Sequence, residues 1–178
     1  VRHPFAVVAS QLKHGAWKDA KTHFVIPNAP FHEHYKEHED FLHSLNTDVE
    51  VLVATWCITN QISLGHSKNN KDWITITYEG LLMEPETTIN RILKEWQIEY
   101  DLSNIDFKRE SKTTVSGSPN TVLERLNYWK ESFSSEQIDS MTRVLTYFGL
   151  ELYTNEPEPQ MNFNEFLPDD KQDELKSI

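Results

Sequence analysis

The sequence predicts a helix-rich α/β protein with an incomplete parallel sheet. Apolar residues recur at helical spacing in several segments, and only five of the 178 residues are glycine, too few for many tight β-turns. A single segment, 73–78, has the β-branched and aromatic composition of a strand. Because one strand cannot bury two faces on its own, we expect its sheet partners to lie outside this sequence.

The first predicted helix begins at Pro4, because proline suits a first helical turn where its missing N–H costs nothing. Phe5, Val8 and Leu12 then recur at helical spacing, and Gly15 provides a residue that can end the helix.

Further elements follow from the same signals. Asp48 is the expected N-cap of a second strong helix. Pro85 opens a third helix, after Glu84, whose apolar face we expect to be buried. The face of that helix comprises Ile89, Ile92, Leu93 and Trp96. A moderate helical pattern covers 30–45, and two more helices are predicted over roughly 120–131 and 135–148, the last capped by Ser135. Loops are predicted over 16–28 and 99–118, with a turn at 116–119.

Composition and charge restrict the partners of the chain. Its 28 acidic and 17 basic side chains give a formal net charge of −11, which disfavours nucleic acid and anionic membranes as partners. A phosphorylated ligand therefore requires a local cluster of cations. The single cysteine, Cys57, excludes an internal disulfide, and no apolar run is long enough to span a bilayer. We expect one domain over 1–153 and an acidic, proline-containing tail over 154–178 that is mobile or lies on the surface.

Arg2 and Ser10 are the first candidate site. Arg2 is predicted at the carboxyl end of a strand, where open α/β sheets bind ligands, and Ser10 lies about two turns into the following helix. A guanidinium and a hydroxyl can hold one phosphate monoester between them. The alternative, an arginine at a helix start and a solvated serine, is more frequent for such a short motif taken alone.

The segment from Arg2 to Ser10 resembles the R-x-P-x-x-x-x-x-S motif of sulfotransferases that use 3′-phosphoadenosine 5′-phosphosulfate (PAPS). Two further segments resemble that family in the same order. Tyr78-Glu79-Gly80-Leu81 is similar to its Y-E-D-L segment, with Gly80 in place of the usual Asp, a departure expected to loosen the turn. The segment from Trp129 to Ser134 is similar to its W-K-x-x-F-[ST] segment.

The resemblance implies a P-loop NTPase-like sulfotransferase fold and a PAPS-dependent sulfotransferase activity that transfers a sulfuryl group to an acceptor hydroxyl or amine. It places Arg2 and Ser10 at the 3′-phosphate and Tyr78 near the adenine of the donor. The family's basic, glycine-containing phosphate loop is not clear here, and Lys112, Ser116, Gly117 or Arg125 are the candidates for its role. This departure favours a bacterial or carbohydrate-type branch over the cytosolic phenol and steroid enzymes.

The family's 5′-phosphosulfate loop and its catalytic base are expected upstream of Val1, so that this chain alone is expected to be inactive. The expected product is 3′,5′-adenosine bisphosphate, and the scheme requires no metal. The acceptor is left open among a sugar, a lipid, a phenol and a peptide. An oligomer is possible, and a cytoplasmic location is favoured.

Three alternatives are kept. His34 and His38, spaced i, i+4 among His32, Glu33 and His43, have the spacing of two zinc ligands, but no third ligand is indicated and a solvated helix is the preferred interpretation. A contact of these histidines with the acceptor is a further hypothesis. Another nucleotide-dependent enzyme on the same plan, such as a kinase, is the second alternative. A helical interaction domain in which Arg2, Ser10 and Tyr78 are only structural is the third.

Overall fold

The computed structural model describes residues 1–15, 17, 19–23, 32–66, 69, 72–107, 121–150 and 152–160. Within these ranges the protein is helix-rich. Its α-helices are α1 (Pro4–Lys13), α2 (Ala20–His23), α3 (His32–Lys36), α4 (Glu39–Ser44), α5 (Asp48–Gly65), α6 (Tyr78–Met83), α7 (Pro85–Glu95), α8 (Val122–Asn127) and α9 (Ser135–Phe148). Two 3₁₀ helices span Leu102–Asn104 and Tyr128–Ser132. The predicted turn at 116–119, Lys112 and residues 161–178 of the predicted tail lie outside the described residues.

Helix α1 begins and ends close to where the sequence predicts. Pro4 occupies the first turn, and the Nδ1 atom of the N-cap residue His3 accepts a hydrogen bond from the Phe5 N–H. One face of α1 is buried, including Phe5 and Val8, which have no exposed surface. The prediction of this helix is confirmed.

Helix α5 lies at the centre of the protein and packs against α1, α2 and α9. Its N-cap is Thr47, whose hydroxyl accepts from the Glu50 N–H while the Glu50 carboxylate accepts from the Thr47 N–H. The prediction that Asp48 caps this helix is therefore wrong by one residue. Asp48 is the first helical residue, and its carboxylate accepts instead from the Lys21 N–H at 2.6 Å.

Helix α9 closes the core against α5. It starts with a second capping box between Ser134 and Gln137, so the cap is Ser134 and not the predicted Ser135. It ends at Gly149, whose positive φ of 62° glycine adopts without strain. Arg143 of α9 donates to the buried carboxylate of Glu50 on α5, which fixes the two helices to each other.

The predicted strand over 73–78 is present only as a short extended segment. Among the described residues no strand is assigned, residues 74–77 are extended without regular pairing, and Tyr78 begins α6. The inclusion of Tyr78 in the strand is therefore wrong, because the Thr77 hydroxyl accepts from the Gly80 N–H and caps α6, a helix that the sequence did not predict.

One pair of hydrogen bonds gives this extended segment a partner. The Val1 N–H donates to the Ile76 carbonyl at 2.6 Å, and the Tyr78 N–H donates to the Val1 carbonyl at 2.7 Å. In a parallel ladder, a residue donates its N–H to the residue before its partner, and its carbonyl accepts from the residue after its partner. Val1 and Thr77 therefore have the hydrogen bonds of a parallel pair at this one position, and no strand forms among the described residues.

Helix α7 does not have the buried face that its amphipathic sequence predicts. None of its residues is buried, and Ile89, Ile92 and Leu93 are all partly exposed. Trp96, directly after the helix, is 61% exposed. The prediction of a buried face is wrong, because α6 contacts α7 but leaves these residues half-buried or exposed.

The histidine-rich segment forms two short helices and not one. Helix α3 ends at Lys36 and α4 starts at Glu39, with His38 as the N-cap of α4. His34 and His38 therefore do not share one face of a continuous helix, and the i, i+4 argument for a pair of zinc ligands does not apply to them.

Candidate functional site

Arg2 lies at the junction between the paired residue Val1 and the start of α1. The same backbone pairing that holds Val1 brings Tyr78 alongside, and the Arg2 guanidinium carbon lies 4.7 Å from the centre of the Tyr78 ring. At this distance the cation interacts favourably with the face of the ring. The Nε–H of Arg2 is buried and has no hydrogen-bond partner.

An unpartnered buried N–H is uncommon, because it loses its hydrogen bonds to water without replacing them. Arg2 is half-buried, and it makes no ion pair with a carboxylate of the described part of the chain. The structure thus holds the Arg2 guanidinium against an aromatic ring, and no described carboxylate neutralises its charge.

Ser10 lies seven residues after His3, about two turns along α1, and so on the side of the helix where Arg2 and His3 enter. It is half-buried, and its hydroxyl bonds to no described residue. No hydrogen bond joins Arg2 and Ser10. The structure brings Arg2 and Tyr78 together, and Ser10 lies about two turns into α1, the helix that follows Arg2.

Glu79, the residue after Tyr78, is buried, with 2% of its surface exposed. One carboxylate oxygen accepts from the His3 N–H at 2.9 Å, and the other accepts from the Tyr153 hydroxyl at 2.7 Å. Burial, followed by the charge of Glu79, raises the pKa of Tyr153 far above its usual range, so its hydroxyl stays protonated and donates. Glu79 is thus a structural brace, whose contacts link α6 to the start of α1 and to the segment after α9.

His3 connects the same region to the end of the described chain. Because its Nδ1 accepts from Phe5, its Nε2 carries the proton and lies 3.1 Å from the carbonyls of both Thr154 and Glu156. Burial lowers the pKa of His3 to about 4, although these two carbonyls favour the charged ring. The ring also stacks on Trp129, with centres 4.7 Å apart.

The segment that begins at Trp129 serves mainly to hold α1 in place. Trp129 is 1% exposed and packs on Phe5 as well as on His3. Its indole N–H has no partner. The next residue, Lys130, pairs with Glu156 at 3.4 Å, and Ser134 caps α9.

Of the four candidates for the phosphate loop, only Arg125 lies among the described residues. Arg125 is half-buried on α8, which contacts α6 and continues into the 3₁₀ helix Tyr128–Ser132, itself in contact with α1. Arg125 is therefore on an element that borders the helix starting at Tyr78. Lys112, Ser116 and Gly117 lie outside the described residues.

Gly80 occupies a tight position and not a loose one. A Cβ atom added to it would lie 2.9 Å from the Thr77 hydroxyl that caps α6. The turn at the start of α6 is closed by that hydroxyl, whose bond to the Gly80 N–H is 3.0 Å long. The expected loosening of the turn is not seen.

A pocket of about 420 Å³ lies elsewhere, at the C-terminal end of α9. It is lined by Thr142, Leu145, Thr146, Gly149, Leu150, Tyr153, Thr154 and Gln160. It includes neither Arg2 nor Ser10, and it shares only Tyr153 and Thr154 with the contacts around Glu79.

The histidine-rich segment packs on α9. The His38 Nδ1 atom lies 3.3 Å from the Tyr147 hydroxyl, and the His43 Nε2 atom lies 3.7 Å from a Glu39 oxygen. In the part of the chain that the structure describes, no three His, Cys, Asp or Glu side chains are close enough to hold a metal ion. None of the helices described there is long and apolar enough to cross a membrane.

Sequence reasoning missed four residues of this region. His3 and Tyr153 were not assigned any contact with Glu79, and the Lys13 ammonium donates to the Tyr128 hydroxyl at 3.3 Å. A signal existed only for His3, because a polar residue directly before a first-turn proline is a candidate N-cap.

In comparisons with known proteins, no family model, no curated protein and no solved structure matches this chain.

Proposed function

We propose that the chain binds the nucleotide of PAPS at Arg2, Ser10 and Tyr78 and belongs to a sulfotransferase. The observation that carries this proposal is the contact between the Arg2 guanidinium and the Tyr78 ring, 4.7 Å from the ring centre, with the Nε–H of Arg2 buried and unpartnered. The two residues are 76 positions apart in the sequence, and they belong to two separate segments that resemble the family.

The chemistry of the three residues suits a nucleotide with a phosphate on its ribose. The planar guanidinium of Arg2 can donate two parallel hydrogen bonds to phosphate oxygens, and the Ser10 hydroxyl adds a neutral donor. The Tyr78 ring is 36% exposed and offers a face on which a base can stack.

The negative net charge of the chain restricts the places where an anionic ligand can bind. With a formal net charge of −11, the protein repels an anionic nucleotide everywhere except where cations are not neutralised. Arg143 and Lys130 are paired with Glu50 and Glu156, whereas Arg2 lies over an aromatic ring. Its charge therefore remains available to an anion.

The P-loop-like α/β fold is part of the same proposal. The parallel pairing of Val1 with Thr77 supports it, because Arg2 then follows one paired segment and Tyr78 follows the other. In open parallel sheets, ligands bind at the carboxyl ends of the strands.

In the proposed reaction, an acceptor hydroxyl or amine attacks the sulfur in line, and 3′,5′-adenosine bisphosphate leaves. Such transfers depend mainly on positioning and on stabilisation of the charge that develops on oxygen. Arg2 and Ser10 hold the remote 3′-phosphate, so that its binding energy positions the donor without contact to the reacting atoms. We assign binding roles, and no catalytic role, to these residues.

Arg2→Ala tests this assignment. We expect it to weaken binding of 3′,5′-adenosine bisphosphate, measured by calorimetry, by about 2–4 kcal/mol, because the phosphate loses its charged partner. Arg2→Lys keeps the charge without the planar fork, so its affinity should lie between those of the wild type and Arg2→Ala.

Ser10→Ala should weaken binding by about 1 kcal/mol, as expected for one hydrogen bond. Its control is Ser140→Ala, at another half-buried serine on α9, which should leave the affinity unchanged. An unchanged affinity of Arg2→Ala for the bisphosphate would refute the site.

One observation favours a helical interaction domain as the second candidate function. Helix α7 has no buried residue, and Trp96 and Tyr100 just beyond it are 61% and 63% exposed. Exposed apolar surface of this kind is typical of protein contacts. This function would be favoured if no nucleotide binds and if a concentration-dependent association, measured by sedimentation, is lost in Trp96→Ser.

A further inference from the structure

Helix α1 carries an uncompensated cation at each end. Arg2 precedes its first turn and lies over Tyr78, and Lys13 is its last residue. The Lys13 ammonium lies 5.1 Å from the centre of the Tyr128 ring and donates to the Tyr128 hydroxyl at 3.3 Å. Neither cation pairs with a carboxylate among the residues that the structure describes.

Ser10 lies between these two cations. Lys13 follows it by three residues, and side chains three apart on a helix are neighbours on its surface. Tyr128 belongs to the 3₁₀ helix that contacts α1, and its hydroxyl holds the lysine on the side of α1 that faces this 3₁₀ helix. The open hydroxyl of Ser10 and the ammonium of Lys13 therefore belong to one surface.

We infer that Lys13, held by Tyr128, is a further binding residue of this site and selects a doubly charged phosphate monoester. This inference rests on the proposed function and goes beyond it, because the resemblance gives no role to Lys13 or Tyr128. A terminal phosphate monoester loses its second proton near pH 6 and carries close to two negative charges at pH 7. Arg2 alone neutralises one of them, and Lys13 supplies the second cation.

The inference explains why the two cations are held by tyrosines. A cation over an aromatic ring is kept in position without being neutralised, whereas a carboxylate partner would compete with the ligand. In a chain with a formal net charge of −11, two such cations on one short helix are unusual.

The test compares 3′,5′-adenosine bisphosphate with adenosine 5′-monophosphate, which lacks the 3′-phosphate, by calorimetry. Lys13→Met removes the charge and keeps most of the side-chain length. We expect it to lower the affinity for the bisphosphate about tenfold, the size of one charged hydrogen bond, and to leave the affinity for the monophosphate nearly unchanged. Lys13→Arg should retain most of the affinity, and Tyr128→Phe should lose part of it.

Lys94→Met is the matched control, because Lys94 is also an exposed lysine in the last turn of a helix, α7. It should change neither affinity. Equal losses in Lys13→Met and Lys94→Met would overturn the inference, since they would show a general effect of charge.

The pH dependence gives a readout that a purely structural lysine would not affect. In the wild type, affinity for the bisphosphate should rise between about pH 5 and pH 7.5 as the monoester gains its second charge. This rise should be smaller in Lys13→Met.

The outcomes separate this inference from the function on which it rests. If the wild type prefers the bisphosphate and Lys13→Met keeps both the full preference and the full pH dependence, Lys13 has no such role while the proposed function stands. If the wild type does not distinguish the bisphosphate from the monophosphate, the proposed function fails and the inference fails with it.

Discussion

The buried ring of His3 makes stability depend on pH in a predictable direction. Burial lowers its pKa from 6.5 to about 4 in the folded protein. As the pH falls below about 6.5, the unfolded chain therefore binds a proton at this residue while the folded protein does not. The free energy of unfolding decreases through this window and stops decreasing, as far as this residue is concerned, near pH 4.

The magnitude follows from the two pKa values. A difference of about 2.5 between 6.5 and about 4 is equivalent to roughly 3 kcal/mol at full protonation of the unfolded chain. About 2 kcal/mol of this is lost between pH 7 and pH 5. This is a large share of the stability of an ordinary domain.

Urea denaturation followed by tryptophan fluorescence at pH 7, 6 and 5 measures this loss. His3→Gln is expected to be less stable than the wild type at pH 7, because it loses the cap on Phe5, and to lack this part of the pH dependence. His43→Gln, at an exposed histidine, is the control and should follow the wild type. Parallel loss of stability in wild type and His3→Gln would refute the reasoning.

Further predictions concern the hydrogen bond between Tyr153 and Glu79 and the two helical glycines Gly65 and Gly80. Tyr153→Phe removes a donor from the buried Glu79 carboxylate and should lower the free energy of unfolding by about 2 kcal/mol in urea denaturation; no change would contradict the brace. Gly65→Ala, where a Cβ meets nothing within 4 Å, should raise stability by about 0.5–1 kcal/mol in thermal melting. Gly80→Ala should give no such gain, because its Cβ would lie 2.9 Å from the Thr77 hydroxyl, and equal gains would show that this position is not tight.

The sequence predicted the features that depend on neighbouring residues. Pro4 and Pro85 mark the starts of α1 and α7, and residues 135–148 form the last helix as predicted. The N-caps are Thr47 and Ser134, each one residue before the predicted Asp48 and Ser135. Both members of each pair are good capping residues, and only the structure shows which side chain accepts from the first turn of the helix.

The features that depend on distant residues were not predictable in the same way. The burial expected for Ile92 on α7 requires an element to cover it, and amphipathic spacing does not show whether one is present. The partners of Glu79, His3 and Tyr153, are 76 and 74 positions away, so local patterns contain no information on them. The contact of Arg2 with Tyr78 was expected only through the resemblance of both segments to one family.

The most direct test of the central claim is the binding of nucleotides to the wild-type chain. Calorimetric titrations with 3′,5′-adenosine bisphosphate and with ATP should show saturable binding of the bisphosphate, weaker binding of ATP, and loss of the difference in Arg2→Ala. Equal affinities for the two nucleotides, or no heat of binding with either, would mean that Arg2, Ser10 and Tyr78 do not form a donor site.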